Sequence, residues 1–213
     1  KALLETCLSS VAGTDYPNLT TIVVDNGSTD GSVSMVRSRF PQVRLIENET
    51  NLGYSRANNQ GIKLALHDGA NYVLLLNNDI EVRQPNWIAR MVRLAEVDPK
   101  IGIVGPKLIY PNGSFQISAC FIHPLGMRGF PGSLNEKEVE VDSLMGAALL
   151  IRRTVIDRIG LLDETYSPFL YEESDFCLRA KRSGFKVIHT PEVEVVHRAG
   201  ASMSKIDHGQ TLY

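Results

Sequence analysis

Cysteine is scarce in this chain. Its 213 residues include only Cys7, Cys120 and Cys177, with no CxxC pair. That scatter argues against a structural zinc site or a disulfide framework and fits a reducing compartment. A large charge imbalance is also missing: 22 Lys and Arg oppose 24 Asp and Glu, giving a net charge of −2. Such a balance offers no broad basic surface, so nucleic acid is not an expected partner. No apolar run approaches the ~20 residues of a membrane span. No signal peptide, internal repeat or low-complexity tract is visible. The chain opens at Lys1 without Met and is expected to be part of something longer.

What is present suits an ordinary α/β core. The hydrophobic fraction is 43% and the charged fraction 22%. Apolar spacing predicts an amphipathic helix over 2–11, with Leu3, Leu4, Cys7, Leu8 and Val11 on one face. Strands are expected at 20–24, 43–47, 72–76 and 101–104, and helices at 32–39, about 55–67 and 86–97. This alternation predicts a parallel sheet covered on both faces over the first hundred residues. Residues 106–141 are rich in Gly and Pro and read as hairpins and a mobile loop, loosest at 124–138. Further on, 144–151 reads as a buried strand or tightly packed segment, 174–183 as a helix, and 187–189 and 193–196 as strands. We expect one domain over 1–213, with halves at 1–105 and 106–213.

Candidate chemistry sits at the polar ends of these elements. The segment Val23-Val24-Asp25-Asn26-Gly27-Ser28-Thr29-Asp30-Gly31-Ser32 ends a β-branched run in an acidic, Gly-rich turn. Open α/β sheets bind ligands at such strand ends, and Asp25 can accept hydrogen bonds from ribose hydroxyls or a base N–H. An Asx-turn followed by Asp30 as a helix cap explains the same residues structurally. A second acidic turn, Asn77-Asn78-Asp79, could hold Mg²⁺ or Mn²⁺, which prefer oxygen ligands and bridge phosphates. Glu172, Glu173 and Asp175 crowd together. They are either an acidic first helical turn or a source of a general base with a raised pKa. His197 follows an apolar run and becomes a metal ligand only if the fold brings it to Asp79. His189, inside a strand, reads as structural. Asn51 to Asn59 opens a helix whose N–H groups favour anions, with Arg56 beside it.

Taken in order, the blocks VVDNGSTDGS, NLGYSRANNQGI, LLLNNDI, GLLDETYSPFLYEESDFCLRAKRSGF and VVHRAG resemble the family 2 glycosyltransferases, inverting enzymes of the GT-A fold. The likeness is greatest to the rhamnosyltransferase-like branch that builds bacterial surface polysaccharides. It implies a Rossmann-like, mostly parallel central sheet flanked by helices, with a smaller mixed sheet on the acceptor side. It also implies a nucleotide-diphosphate sugar donor and a saccharide or lipid-linked glycan acceptor. The implied location is cytoplasmic, extending to the inner face of the cell membrane, with only peripheral membrane contact. By the same resemblance Asp25 holds the base or ribose, and the donor set comprises Asp25, Asn26, Asp30, Asn51, Gly53, Arg56, Asn58 and Asn78. Asp79 binds the metal, Mg²⁺ or Mn²⁺, and His197 helps hold the metal or diphosphate. Glu173 falls at the catalytic acidic position, with Glu172 and Asp175 as rivals. Residues 144–148 fall on the acceptor side.

The chain departs from the family in two respects. A strand with a Pro-Thr-Tyr-Asn-like segment usually opens the fold, and this chain starts in the helix after it. Asn77 stands where Asp often occurs, which leaves fewer charged ligands. Two other functions are compatible with a nucleotide-binding α/β core: a sugar nucleotidyltransferase and a non-catalytic nucleotide- or carbohydrate-binding module. The first usually needs a Gly-rich basic loop for a triphosphate, which is not visible here.

Overall fold

The computed structural model describes residues 1–123, 126–129, 137–166 and 171–198. Most of the expected loop at 124–138 therefore lies outside the described residues. The chain begins with helix α1 (Ala2–Ala12), which buries Cys7, Leu8 and Val11 as its apolar spacing requires. Strand β1 (Ile22–Asn26) starts two residues later than the composition suggests and carries Asp25 within it. Gly31, at φ 80°, turns the chain into α2 (Ser32–Arg39), and β2 (Arg44–Asn48) returns parallel to β1. Gly53, at φ 84°, opens α3 (Tyr54–His67). A left-handed backbone of this kind favours glycine.

The larger sheet begins with β3 (Tyr72–Leu76) and the short β4 (Ile80–Val82), followed by α4 (Trp87–Val97) and β5 (Ile101–Ile109). After β6 (Phe115–Gln116), β7 (Ala119–His123) and β8 (Gly126–Gly129) form a hairpin. Then come β9 (Val139–Glu140), β10 (Ser143–Leu144), β11 (Ala148–Arg152), α5 (Arg153–Ile159), α6 (Glu172–Arg182) and β12 (Lys186–His197). The order is β3-β11-β5-β12-β4, with β6 beside β5 and β9 beside β12. Only β12 and β5 pair in parallel; β11 runs antiparallel between β3 and β5. The small second sheet, β10-β7-β8, is antiparallel rather than mixed.

Two expectations change here. The strands of the first hundred residues do not form one parallel sheet. Among the described residues β1 pairs only with β2, and β3 only with β11. The facing edges of β1 and β3 both line a cavity instead. The two short strands expected near 187–196 are one strand, with a register shift between Lys186 and Val187 and another, spanning Pro191, between Thr190 and Glu194. Proline cannot donate to the ladder there.

Alternation of side chains splits the core across the sheet. On β5, Val104 and Leu108 pack on one face with Trp87 and Met91 of α4. Ile103 joins the other face with Ile62 of α3, Val155 of α5 and Phe176 of α6. Helices thus cover both faces. A third, smaller cluster of Leu8, Met35, Val36 and Phe40 lies under the β1–β2 ribbon.

Candidate active site

The sheet delivers acids from distant parts of the chain to one cavity of about 1860 Å³. Ligand clefts commonly hold about 300–1,000 Å³. This one is larger because it continues between the facing edges of β1 and β3. Asp25, Asp79, Glu172, Glu173 and His197 all line it. Asp25 is buried at the end of β1, and its Oδ2 accepts the Ser28 N–H at 2.9 Å. That bond reaches three residues on, one more than an Asx-turn, so Asp25 braces the turn after β1 while it lines the cavity.

Antiparallel register brings His197 to Asp79. Strand β12 pairs His197 with Ile80 of β4, and Arg198 N–H continues the ladder to the Asp79 carbonyl at 3.0 Å. His197 Nε2 then lies 3.3 Å from Asp79 Oδ1, and its Nδ1 lies 2.8 Å from Gln116 Oε1. With the ring proton on Nδ1 and given to Gln116, the Nε2 lone pair faces a carboxylate oxygen. A divalent cation, or a second ring proton, reconciles those two Lewis bases. The donor set of one carboxylate and one imidazole fits such a cation, with further positions open to oxygen ligands. No cluster of three or more His, Cys, Asp or Glu suited to a metal exists among the described residues.

Helix α6 begins two residues earlier than its polarity suggests, which puts Glu172 and Glu173 on its first turn. The preceding Tyr171 sits at φ 72°, an uncommon backbone for a residue with a bulky side chain. Burial pushes the Glu173 carboxyl above the usual carboxylate range, opposed by N–H donors from its own backbone and from Gly146. A raised pKa suits a base working near neutral pH. Glu172 is buried beside it.

The loops that follow β1 and β2 are held by amides. Asn26 Oδ1 accepts from Asn48 Nδ2 and Leu52 N–H, both at 3.1 Å. Asn26 Nδ2 donates to Asn51 Oδ1 at 2.9 Å and to the Gly53 carbonyl at 3.2 Å. Arg56 pairs with Glu164 at 3.2 Å, and Asn58 Nδ2 donates to the Tyr54 carbonyl at 3.0 Å.

Sequence comparison agrees with this geometry. The family model described as Glycosyl transferase family 2 matches residues 1–160. The chain belongs to that family. It is 30% identical over 222 residues to a Sinorhizobium fredii protein, covering 96% of this chain and 24% of that protein. It is also 30% identical over 229 residues to the N-acetylglucosaminyl-diphospho-decaprenol L-rhamnosyltransferase of Mycobacterium tuberculosis, covering 95% of this chain and 74% of the relative. The chain thus spans about a quarter of the first relative's length and about three quarters of the second's. Among solved structures, it is similar to a Pyrobaculum calidifontis mannosyltransferase in complex with GDP-Man and Mn²⁺. The TM-score is 0.69 at 21% identity, over 94% of this chain and 54% of that one. That likeness shows the GT-A fold.

Within this family 2 glycosyltransferase chain, most of the expected site residues share the cavity. Asn26, Asn51, Gly53, Arg56, Asn58 and Asn78 line it together with the acids. Asp30 and Asp175 do not. Asp30 lies one residue before the N-cap Gly31 of α2, where it accepts the Ser32 N–H at 3.0 Å and pairs with the Lys1 amino terminus at 2.5 Å. Asp175 is held by Arg179 at 2.7 Å, one helical turn on. Asn26 lines the cavity, yet both its amide atoms are engaged by the loop. Three contributors escape a reading of the sequence: Gln116, Tyr54 and Gly146. Gln116 lies in a stretch with no periodicity to mark it. The other two sit inside recognisable blocks, but nothing in the sequence shows that they meet.

Proposed function

We propose that this chain is an inverting glycosyltransferase. It moves a sugar from a nucleotide-diphosphate donor to a hydroxyl of a saccharide or lipid-linked glycan. The observation that carries the reading is the convergence of Asp25, Asp79 and Glu173 on one cavity. Asp25 receives the base or ribose. Asn51, Gly53, Arg56, Asn58 and Asn78 surround the rest of the nucleotide. Asp79 and His197 would hold Mg²⁺ or Mn²⁺, which supplies charge neutralisation for the departing diphosphate. Glu173 takes the proton of the acceptor hydroxyl as its oxygen bonds to the anomeric carbon. The bond from that carbon to the diphosphate oxygen breaks, and the diphosphate leaves with the electron pair. Attack from the opposite face inverts the centre, as it does in inverting glycosidases with water in the acceptor's place. The whole chain works as one unit, with donor contacts mainly from 1–105 and acceptor contacts from 106–213.

The rhamnosyltransferase relative, named for a decaprenol-linked acceptor, supports a lipid-linked glycan as acceptor. The setting proposed is surface polysaccharide synthesis, on the cytoplasmic side with peripheral membrane contact. Among the described residues no helix is long and apolar enough to cross a membrane. A thermal-shift screen of nucleotide sugars with and without Mn²⁺, followed by a transfer assay, tests the proposal. Stabilisation by a nucleotide sugar together with product formation supports it. Binding without turnover would instead make the chain a binding module, and consumption of a nucleoside triphosphate with a sugar phosphate a nucleotidyltransferase.

A further inference from the structure

Tyr54 is the first residue of α3, on the donor side of the cavity. Its hydroxyl crosses to the acceptor side and donates to the Gly146 carbonyl at 3.0 Å. Gly146 in turn offers its N–H to the Glu173 carboxylate. The three groups are in close contact. A Cβ at residue 146 would lie 3.2 Å from Glu173 Cδ, 3.3 Å from the Tyr54 hydroxyl and 3.4 Å from Glu173 Oε1. The flanking backbone is tied down as well: Met145 N–H bonds the Ser118 carbonyl at 2.9 Å, and the Ala147 carbonyl accepts Asn77 N–H at 3.0 Å. Burial, and then the charges of Glu173 and Glu172, hold the Tyr54 hydroxyl well above its usual range, so it stays a protonated donor.

We propose that Tyr54 is a positioning residue for the base: its hydroxyl fixes the Gly146 carbonyl, so that the Gly146 N–H aims the Glu173 carboxylate at the acceptor. Tyr54 itself touches no reacting atom in this account. The inference rests on Glu173 being the base. Loss of the hydroxyl frees residue 146 to rotate and weakens the N–H bond to the carboxylate. A carboxylate that loses a donor has a higher pKa.

The test is the pH dependence of kcat in Tyr54→Phe, which keeps the ring and its packing. We expect kcat to fall about tenfold, the size expected for one lost positioning hydrogen bond. The acid limb of the profile should move to higher pH, with the donor KM unchanged. Gly146→Ala keeps the Tyr54 side chain but presses a Cβ against both the Glu173 carboxylate and the Tyr54 hydroxyl, so it disturbs the same relay from its middle. It should shift the acid limb too, and it carries the test if Tyr54→Phe does not fold. A folded Tyr54→Phe with an unmoved acid limb, or with a raised donor KM at unchanged kcat, overturns the proposal. Glu173→Gln separates the two levels: if it still transfers sugar, the base assignment has failed. If it is inactive while Tyr54→Phe is normal, only the role of Tyr54 has failed.

Discussion

On one side of the cavity the β1–β2 ribbon rests on four buried side chains, Leu8, Met35, Val36 and Phe40. On the other, β3 and its neighbours separate two clusters of sixteen buried residues each. Strand β1 is rich in β-branched residues, yet of its five residues only Asp25 is buried. Most of β5, by contrast, is sealed on both faces. The wall proposed to take the donor therefore relies on polar clips, such as Asn26 between Asn48, Asn51 and Leu52. The wall that carries the proposed base relies on packing. Polar clips hold a loop in place but open more readily than a packed core. We expect donor-wall changes to act on donor affinity and local opening, and catalytic-wall changes to act on turnover or global stability.

The largest effect should come from Glu173→Gln, which removes the base. Transfer is expected to fall by about 10²–10⁴-fold, while calorimetry still detects nucleoside diphosphate binding. Equal losses of binding and turnover would erase the distinction between the walls. Next comes Trp87→Ala. Trp87 is fully buried, and its Nε1 donates to Thr14 Oγ1 at 2.9 Å. The substitution should cost about 3–5 kcal/mol of global stability in denaturant titration.

A smaller effect is expected from Asn26→Ala, which takes away the partner of the Leu52 N–H, while the Asn48 amide keeps its bonds to Gln60. One such orphaned group costs about 1–3 kcal/mol. Hydrogen exchange should accelerate in β1 and β2 while β5 and β12 keep their protection. Uniform acceleration would show that the ribbon and the large sheet open as one unit.

The smallest effects are pH-linked. Glu173 has a raised pKa when folded, so its charge costs stability above that pKa and costs nothing below the ordinary carboxylate range. Glu173→Gln should accordingly melt higher than the wild type at pH 8, with the advantage vanishing below about pH 4. His189 behaves in the opposite pH direction. Burial, and then Lys107, push its pKa down from 6.5 to about 4, and neither ring nitrogen has a partner among the described residues. Wild-type stability should fall as pH drops through that window, because the unfolded chain takes up a proton that the folded one refuses. Thermal melts of His189→Leu from pH 7 to 4.5 should show a flatter dependence. A parallel slope would mean that His189 is not the group responsible.

Much of this plan is legible in the residues. Helix 32–39 and strand 72–76 can be bounded from sequence, because Pro41 and the Asn-Asn-Asp turn punctuate them. The start of α6 cannot, because Tyr171 reaches a left-handed backbone that no local rule assigns to tyrosine. Helix α5 and strand β4 also escape a local reading: each is short, and β4 exists only because β12 pairs with it. Asn59 shows the same limit. Its sequence context is a polar helix opening. In the fold it is a buried clamp, exchanging hydrogen bonds with the Leu162 carbonyl at 2.9 Å and N–H at 3.1 Å.

Sequence by itself determined the α/β class, which follows from periodicity and turn chemistry acting over a few residues. The order of its motif blocks carried the resemblance to the family. The tertiary structure alone decided which acids reach the cavity. Asp175 and Glu173 are two residues apart in one acidic helix turn. Arg179 holds the first away from the cavity, while burial and the Gly146 N–H shape the second. Their separation depends on where α6 docks, and that is set by contacts between residues distant in the chain, such as Tyr54 with Glu173.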